Sequence, residues 1–246
     1  QIGVFTNSGT FKKSAGAATT IFPASTQFTN TNTGLVLVQS GSLSFTSALS
    51  VFNCSGGTLN IPSGSLTLSG GFNNSGNSSV VAGTLNLAFG LTGSSSGSLS
   101  LAAGVVLNHL GGTHQLNSGM TITGTGVYRL NGGTLSNSGA VSLQNLDLLA
   151  GTLSAASGSS DILTVTGVLN WSGGAILGPT SSGSVNISPA ATFNISGGSN
   201  KTISRNIINS GTTTWTGTGN LLGGGSHTFV NQATGFFNVQ TTSTLV

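Results

Sequence analysis

The residue types that could carry chemistry are few in this chain. Gly93-Ser94-Ser95-Ser96-Gly97 has the spacing of a nucleophile elbow, in which a strand-to-helix turn presents a serine to a histidine and an acid. Serine and glycine are so common here that chance explains the pattern, and no stretch with helical periodicity follows it. The motif alone therefore predicts no acyl-transfer site.

The histidines and carboxylates do not form a recognisable site either. His109 and His114 could lie near one another, but two ligands without a third make a poor metal site, and His227 is remote. We expect all three histidines at the surface or at corners. Asp147 and Asp161 are fourteen residues apart, which is no repeat of the chain, so paired-carboxylate catalysis is not expected. The sequence predicts no enzyme, no metal and no cofactor.

Composition excludes several classes of partner. Of 246 residues 36% are hydrophobic but only 3% are charged, against about 25% in ordinary domains. A net charge of +3 over this length is no footprint for nucleic acid or for an anionic membrane surface. No apolar run approaches the ~18 residues of a membrane span. Cys54 stands alone, so no disulfide framework is expected.

A repeat organises the whole sequence. The motif Phe5-Thr6-Asn7-Ser8-Gly9 returns in related forms, and the later aromatic residues are spaced by 22 residues. Short runs such as Ser65-Leu66-Thr67-Leu68 place apolar residues at every second position, which is the period of a strand, and glycine-containing turns end them. A strand–turn unit of about 22 residues, repeated about eleven times, is one coil of a β-solenoid. We therefore predict an all-β, parallel β-solenoid with essentially no helix, forming a single repeat domain over 1–246.

Stacked coils place like residues over like, so two inward-facing sets are predicted. An asparagine ladder, hydrogen-bonded from coil to coil, would satisfy amides that are costly to bury unpaired. Its predicted members are Asn7, Asn30, Cys54, Asn74, Asn137, Asn209 and Asn231. An aromatic stack would lie beside it, with the members Phe5, Phe28, Phe52, Phe72, Trp171, Phe193, Trp215 and Phe237. Glycines at the corners would turn the chain.

Units such as Phe72-Asn73-Asn74-Ser75-Gly76, and the run Trp171-Ser172-Gly173-Gly174, resemble the repeat regions of large bacterial surface proteins. These are the β-solenoid passengers of autotransporters and the filamentous-haemagglutinin-like exoproteins. The resemblance is one of pattern and composition along the whole chain. It implies an extracellular or cell-surface protein with a structural or adhesive role.

Function is therefore expected to be structural: a spacer, an adhesive stalk or a fibre subunit. Both ends of the sequence read as repeat, so the chain is expected to be a segment of a longer solenoid or a subunit that stacks head to tail on itself. The alternative is an extracellular binding module. Trp171, Trp215 and Tyr128 on a neutral surface would suit a polysaccharide. Rows of threonine, as at Thr121-Ile122-Thr123, would suit ice, which is the weaker of the two alternatives.

Overall fold

The described part of the computed structural model covers residues 3–22, 25–47, 49–156, 161–178 and 183–246, and it consists of strands joined by turns. The chain forms strands because apolar and polar side chains alternate along it. In Ser65-Leu66-Thr67-Leu68, for example, both leucines are fully buried, whereas the serine and the threonine are not. Strand accounts for 65% of the described residues, and none of these residues lies in a helix. Those ranges consequently hold no helix that could span a membrane.

The strands of the described ranges follow in chain order. They are β1 (Gly3–Asn7), β2 (Thr10–Lys13), β3 (Thr19–Phe22), β4 (Thr26–Asn30), β5 (Leu35–Val38), β6 (Ser42–Phe45), β7 (Val51–Cys54), β8 (Gly57–Leu68), β9 (Gly71–Asn74), β10 (Asn77–Ser95), β11 (Ser98–Leu101), β12 (Val106–Leu116), β13 (Thr121–Thr123), β14 (Val127–Asn137), β15 (Val141–Ala155), β16 (Ile162–Trp171), β17 (Ala175–Leu177), β18 (Ser184–Ile187), β19 (Thr192–Ile195), β20 (Lys201–Ile203), β21 (Asn206–Asn209), β22 (Thr212–Trp215), β23 (Leu221–Gly223), β24 (Phe229–Asn231) and β25 (Phe236–Val239).

These strands form a parallel β-solenoid of about ten turns, which confirms the predicted fold class. Contacts divide the chain into unit 1, residues 1–115 and 120–128, and unit 2, residues 116–119 and 129–246. In unit 1 three sets of parallel strands stack turn over turn. They are β1–β4–β7–β9, β2–β5–β8–β10–β11 and β3–β6–β8–β10, where the long strands β8 and β10 bend around a corner and serve two sets.

Unit 2 has the same three-stranded turn. Its sets are β15–β17–β20–β23, β15–β16–β18–β21–β24 and β15–β16–β19–β22–β25. The core of each unit is the column of inward side chains from successive turns, mostly leucine, isoleucine, valine and phenylalanine with zero to a few per cent exposure. The main chain of each turn therefore hydrogen-bonds to the next turn, and its inward side chains pack into a shared core.

Candidate functional site

The four early phenylalanines form one stack. Phe5, Phe28, Phe52 and Phe72 are register partners in successive turns. The ring centroids lie 5.1 Å apart for the first pair, 5.0 Å for the second and 6.3 Å for the third. The first two pairs are stacked with nearly parallel rings, and the rings of the third pair are tilted by 30°. Phe28, Phe52 and Phe72 are buried, whereas Phe5 keeps 40% of its surface exposed.

The asparagines beside that stack share a column. Among the described residues of this column, one hydrogen bond joins two side-chain amides, and it links Asn7 to Asn30. Asn7 Nδ2 donates to Asn30 Oδ1 at 2.8 Å, and Asn30 Nδ2 donates to the carbonyl of Gly34 in its own corner at 3.0 Å. Cys54 fills the next place, and burial raises the pKa of its thiol. Asn74 Nδ2 donates to the carbonyls of Gly76 and Ser98 at 3.1 and 3.0 Å. The amides of this column thus bond either to their own corner, as Asn30 does, or to the next turn, as Asn7 does, and Asn74 does both.

The Asn30 corner, residues 30–34, is repeated almost atom for atom in unit 2 by the Asn231 corner, residues 231–235. Asn209 Nδ2 donates to Asn231 Oδ1 at 2.8 Å, and Asn231 Nδ2 donates to the carbonyl of Gly235 at 3.0 Å. A Cβ on Gly34 or on Gly235 would clash with the corner asparagine and with the carbonyl of the preceding turn. The recurring glycine is therefore required by lack of space, since neither glycine has a positive φ.

Asn137 does not belong to the ladder of Asn209 and Asn231. Within unit 2 the register partner before Asn209 is Ile187, and the one before that is Val165. The 72 residues between Asn137 and Asn209 equal a whole number of turns of average length. The two asparagines nevertheless belong to different strand sets. Asn137 is buried, and its Oδ1 accepts a hydrogen bond from Arg205.

The late aromatic residues form two columns where the 22-residue spacing predicts one. Trp171 pairs in register with Ile195, Ile195 with Trp215 and Trp215 with Val239. Phe193 lies in the neighbouring column, whose register runs from Leu169 through Phe193 and Thr213 to Phe237. Turns here alternate in length, so equal spacing of the aromatics moves each one to the other inward position. The rings of Trp171 and Phe193 still stack across the columns at 6.2 Å, and both tryptophans are buried.

A buried polar network in unit 1 is the site that sequence reasoning missed. Ser95 Oγ lies 2.8 Å from His114 Nε2, and the hydroxyl of Tyr128 lies 3.1 Å from His114 Nδ1 and 3.0 Å from His109 Nδ1. His109 Nε2 lies 2.9 Å from the carbonyl of Gly111. Both histidines and the tyrosine have no exposed surface. The expectation that His109 and His114 lie at the surface is wrong.

The direction of each hydrogen bond in this network follows from the carbonyl of Gly111 at one end of it. The carbonyl of Gly111 can only accept, so His109 Nε2 carries a hydrogen and Nδ1 accepts from the hydroxyl of Tyr128. The same hydroxyl then accepts from His114 Nδ1, and His114 Nε2 accepts from Ser95. Every one of these bonds is satisfied with both histidines neutral. Burial, opposed by the carbonyls of Gly111 and Gly112, lowers the pKa of His109 to about 4. Burial and the nearby charge of His109 lower the pKa of His114 to about 3.

This network includes the central serine of the elbow-like motif, Ser95, and gives it a histidine partner. The third member is Tyr128, which holds His114 Nδ1 where a catalytic triad places a carboxylate. Ser95 is 1% exposed and His114 is fully buried, so a substrate would have to displace the core to reach the hydroxyl. The arrangement is suited to holding turns together.

A signal for the network was present in the sequence. His109-Leu110-Gly111-Gly112-Thr113-His114 has the form of Leu130-Asn131-Gly132-Gly133-Thr134-Leu135. The two histidines therefore occupy positions that hold buried leucines in the later copy. Comparison of repeats position by position would have placed them inside.

Unit 2 contains a buried cation. Arg205 is 1% exposed, and its Nη2 donates to Asn137 Oδ1 at 2.8 Å and to the main-chain carbonyls of Asp161 and Ser184 at 2.6 and 3.1 Å. Its Nε and Nη1 are buried and have no hydrogen-bond partner among the residues that the structure describes. Burial lowers the pKa of Arg205 to about 10, and the charge of Asp161 works in the opposite direction. The guanidinium thus ties together the main chain of separate turns.

The other charged pair lies at the surface. Arg129 Nη2 approaches Asp147 Oδ2 at 3.1 Å, with 37% of the arginine side chain exposed. Asp147 Oδ1 accepts from Asn170, and Asn170 accepts in turn from Asn194, both near 2.9 Å. No group of three or more histidine, cysteine or acidic side chains in the described ranges could hold a metal ion.

Unit 2 also has an open cavity of about 800 Å³. Its lining is mainly apolar and includes Trp171, Trp215, Phe229, Phe237 and Val239. These side chains belong to β16, β22, β24 and β25, so the cavity lies at the end of the unit 2 core that β24 and β25 border.

Comparison with known proteins returns no relative: no family model, no curated protein and no solved structure matches the chain. The class that the structure defines is the parallel β-solenoid repeat protein.

Proposed function

We propose that this chain is a structural β-solenoid of a secreted bacterial surface or filament-forming protein, serving as a spacer, adhesive stalk or fibre subunit without catalysis. The observation that carries this proposal is that the polar side chains of the interior are directed at neighbouring turns. Asn7, the histidine–tyrosine network and Arg205 are buried and bind protein groups of other turns. Such contacts strengthen the stack without presenting a reactive group.

The distribution of charge supports an extracellular role. Trypsin needs an accessible lysine or arginine, and the chain has only five. Lys201 and Arg205 are fully or almost fully buried in unit 2. Lys12, Lys13 and Arg129 are the remaining candidates for cleavage. A surface with so few cleavage sites suits a protein exposed to extracellular proteases.

The structure gives less support to the polysaccharide alternative. That hypothesis needs aromatic side chains on the surface, but Tyr128, Trp171 and Trp215 have exposures of 0%, 1% and 4%. The aromatic side chains that this hypothesis requires for contact with sugar rings belong to the core instead.

Two measurements test the proposal. Antibody raised against the chain should label intact cells of the source organism as strongly as permeabilised cells, and labelling only after permeabilisation would contradict an extracellular location. Native chain should resist trypsin at Lys201 and Arg205, while a variant with a disrupted unit 2 core, Phe193→Lys, should be cut there. Rapid cleavage of the native chain at these buried sites would contradict a role as a rigid structural element.

A further inference from the structure

One corner of unit 2 carries an asparagine that is followed directly by glycine. Asn131-Gly132 is the only such pair in the sequence. It lies within β14, at a bend that continues through Gly133, whose φ is +67°. Motifs of the same form occur elsewhere in the chain with another residue in place of the asparagine, namely Leu110, Leu149 or Ser172. The corner therefore forms without an asparagine.

The side chain of Asn131 is open to reaction. Asn131 is exposed, and its amide group makes no hydrogen bond to any residue that the structure describes. An amide that nothing holds can rotate about its side-chain torsions, which lets its Cγ approach the main-chain nitrogen of the next residue. Gly132 supplies that nitrogen and has no Cβ to obstruct the approach.

The asparagines that precede serine, the other small neighbour, are better protected. They are Asn7, Asn74, Asn77, Asn117, Asn137 and Asn209. Four of them are buried and hold a protein acceptor through Nδ2, as Asn137 holds the carbonyl of Gly139 at 3.0 Å. Asn77 is exposed, but its Oδ1 accepts from Ser98 at 2.8 Å, and Asn117 is half-buried. Asn131 thus combines exposure, an unbonded amide and a glycine neighbour.

We propose that Asn131 is a site of self-modification, at which the folded chain converts its own asparagine to aspartate and isoaspartate. The main-chain nitrogen of Gly132 loses its proton to solvent and attacks Cγ of Asn131. The N–Cγ bond forms, the Cγ–Nδ2 bond breaks, and Nδ2 takes a proton from solvent and leaves as ammonia. Water then opens the resulting succinimide ring at one of its two carbonyls. Opening at one carbonyl gives aspartate, and opening at the other gives isoaspartate.

The isoaspartate product alters the corner itself. It routes the main chain through Cβ and Cγ, so one carbon atom is added to the main chain between Asn131 and Gly132. The next turn is packed closely against this segment, because a Cβ on Gly151 would lie 2.5 Å from the carbonyl oxygen of Gly133 and 2.9 Å from the carbonyl carbon of Gly132. A longer main chain therefore cannot shift toward Gly151 without a clash. Aspartate adds the same charge without lengthening the chain.

Ageing of the folded native chain at about pH 8, followed by cation exchange and peptide mass spectrometry, tests the site. The chain has two acidic residues and a net charge of +3, so one new carboxylate should give an early-eluting form that is easily resolved. Conversion at Asn131 should be at least about tenfold faster than at Asn77. Asn131→Gln keeps an exposed amide on a longer side chain and should give no such form. Asn131→Ser, with the residue found at position 172, serves as the control if Asn131→Gln does not fold.

Two results would overturn the proposal. One is conversion at Asn131 that is no faster than at Asn77, and the other is conversion that occurs in urea-unfolded chain but not in folded chain. Either result would show that the corner holds Asn131 away from the nitrogen of Gly132.

Thermal unfolding tests the effect of the added main-chain atom. The isoaspartate form, purified from aged chain, should melt at least about 4 °C below native chain. Asn131→Asp supplies the charge alone and should melt within about 2 °C of native chain. Asn131→Gln aged in parallel measures damage at other sites. An isoaspartate form that melts with Asn131→Asp would contradict the close packing of Gly151 on this corner.

Discussion

Acid should destabilise this protein through two buried histidines. His109 and His114 are neutral in the folded chain, and the hydroxyl of Tyr128 donates to one and accepts from the other. Protonating His109 would put a second donor against that hydroxyl in a site without water-exposed surface. The folded-state pKa values, about 4 for His109 and about 3 for His114, lie below the ordinary value of 6.5.

The sign and the size of the effect follow from linkage. Because folding lowers both pKa values, the unfolded chain binds more protons below pH 6.5. The stability due to neutral histidines is complete above pH 6.5 and is lost progressively as the pH falls toward the folded-state values. Between pH 8 and pH 5 each histidine should cost about 2 kcal/mol, or about 4 kcal/mol for the pair. A typical domain has only about 5–15 kcal/mol in total.

Urea unfolding at pH 8 and pH 5, followed by circular dichroism, measures this loss. The matched variant replaces His109 and His114 with leucine and Tyr128 with phenylalanine, since leucine occupies the two equivalent positions at 130 and 135. It should show almost no change in unfolding free energy between the two pH values. His227→Gln, which leaves the network intact, should behave as the native chain does. A native chain that loses less than about 1 kcal/mol, or a leucine variant with the native pH dependence, would refute the reasoning.

Three further substitutions test the interior by denaturant unfolding. Gly34→Ala forces a Cβ into the Asn30 corner and should cost about 1–3 kcal/mol, whereas Gly9→Ala, with open space around it, should cost nothing; equal effects would contradict the steric role of the corner glycine. Arg205→Ala should cost about 3–5 kcal/mol because it strands buried acceptors, and Arg129→Ala below about 1 kcal/mol because its ion pair is exposed. The reverse order would show that the buried guanidinium does not hold the turns together. Phe193→Lys buries an unpaired charge and should cost at least about 3 kcal/mol, so a native melting temperature would exclude its inward position.

The sequence by itself determined the fold class. Alternation at period two, glycine-containing turns and a repeat of about 22 residues leave a parallel solenoid as the consistent solution, and the columns of Phe5 and of Asn7 in unit 1 follow from motif alignment alone. These columns are readable because the same short motif marks the same place in each of these turns, although the turns differ in length by a few residues.

Only the tertiary structure decided which late residues share a column and which polar groups meet in the interior. Trp171 and Phe193 fall in adjacent columns because turn lengths alternate around the mean, and a register of parallel strands depends on each length and not on the average. Asn137 meets Arg205, and His114 meets Ser95 and Tyr128, through contacts between separate turns. A repeat period fixes how often a position recurs. The partner of a buried polar group is fixed by which turn lies next to it, and that depends on the path of the chain through every corner.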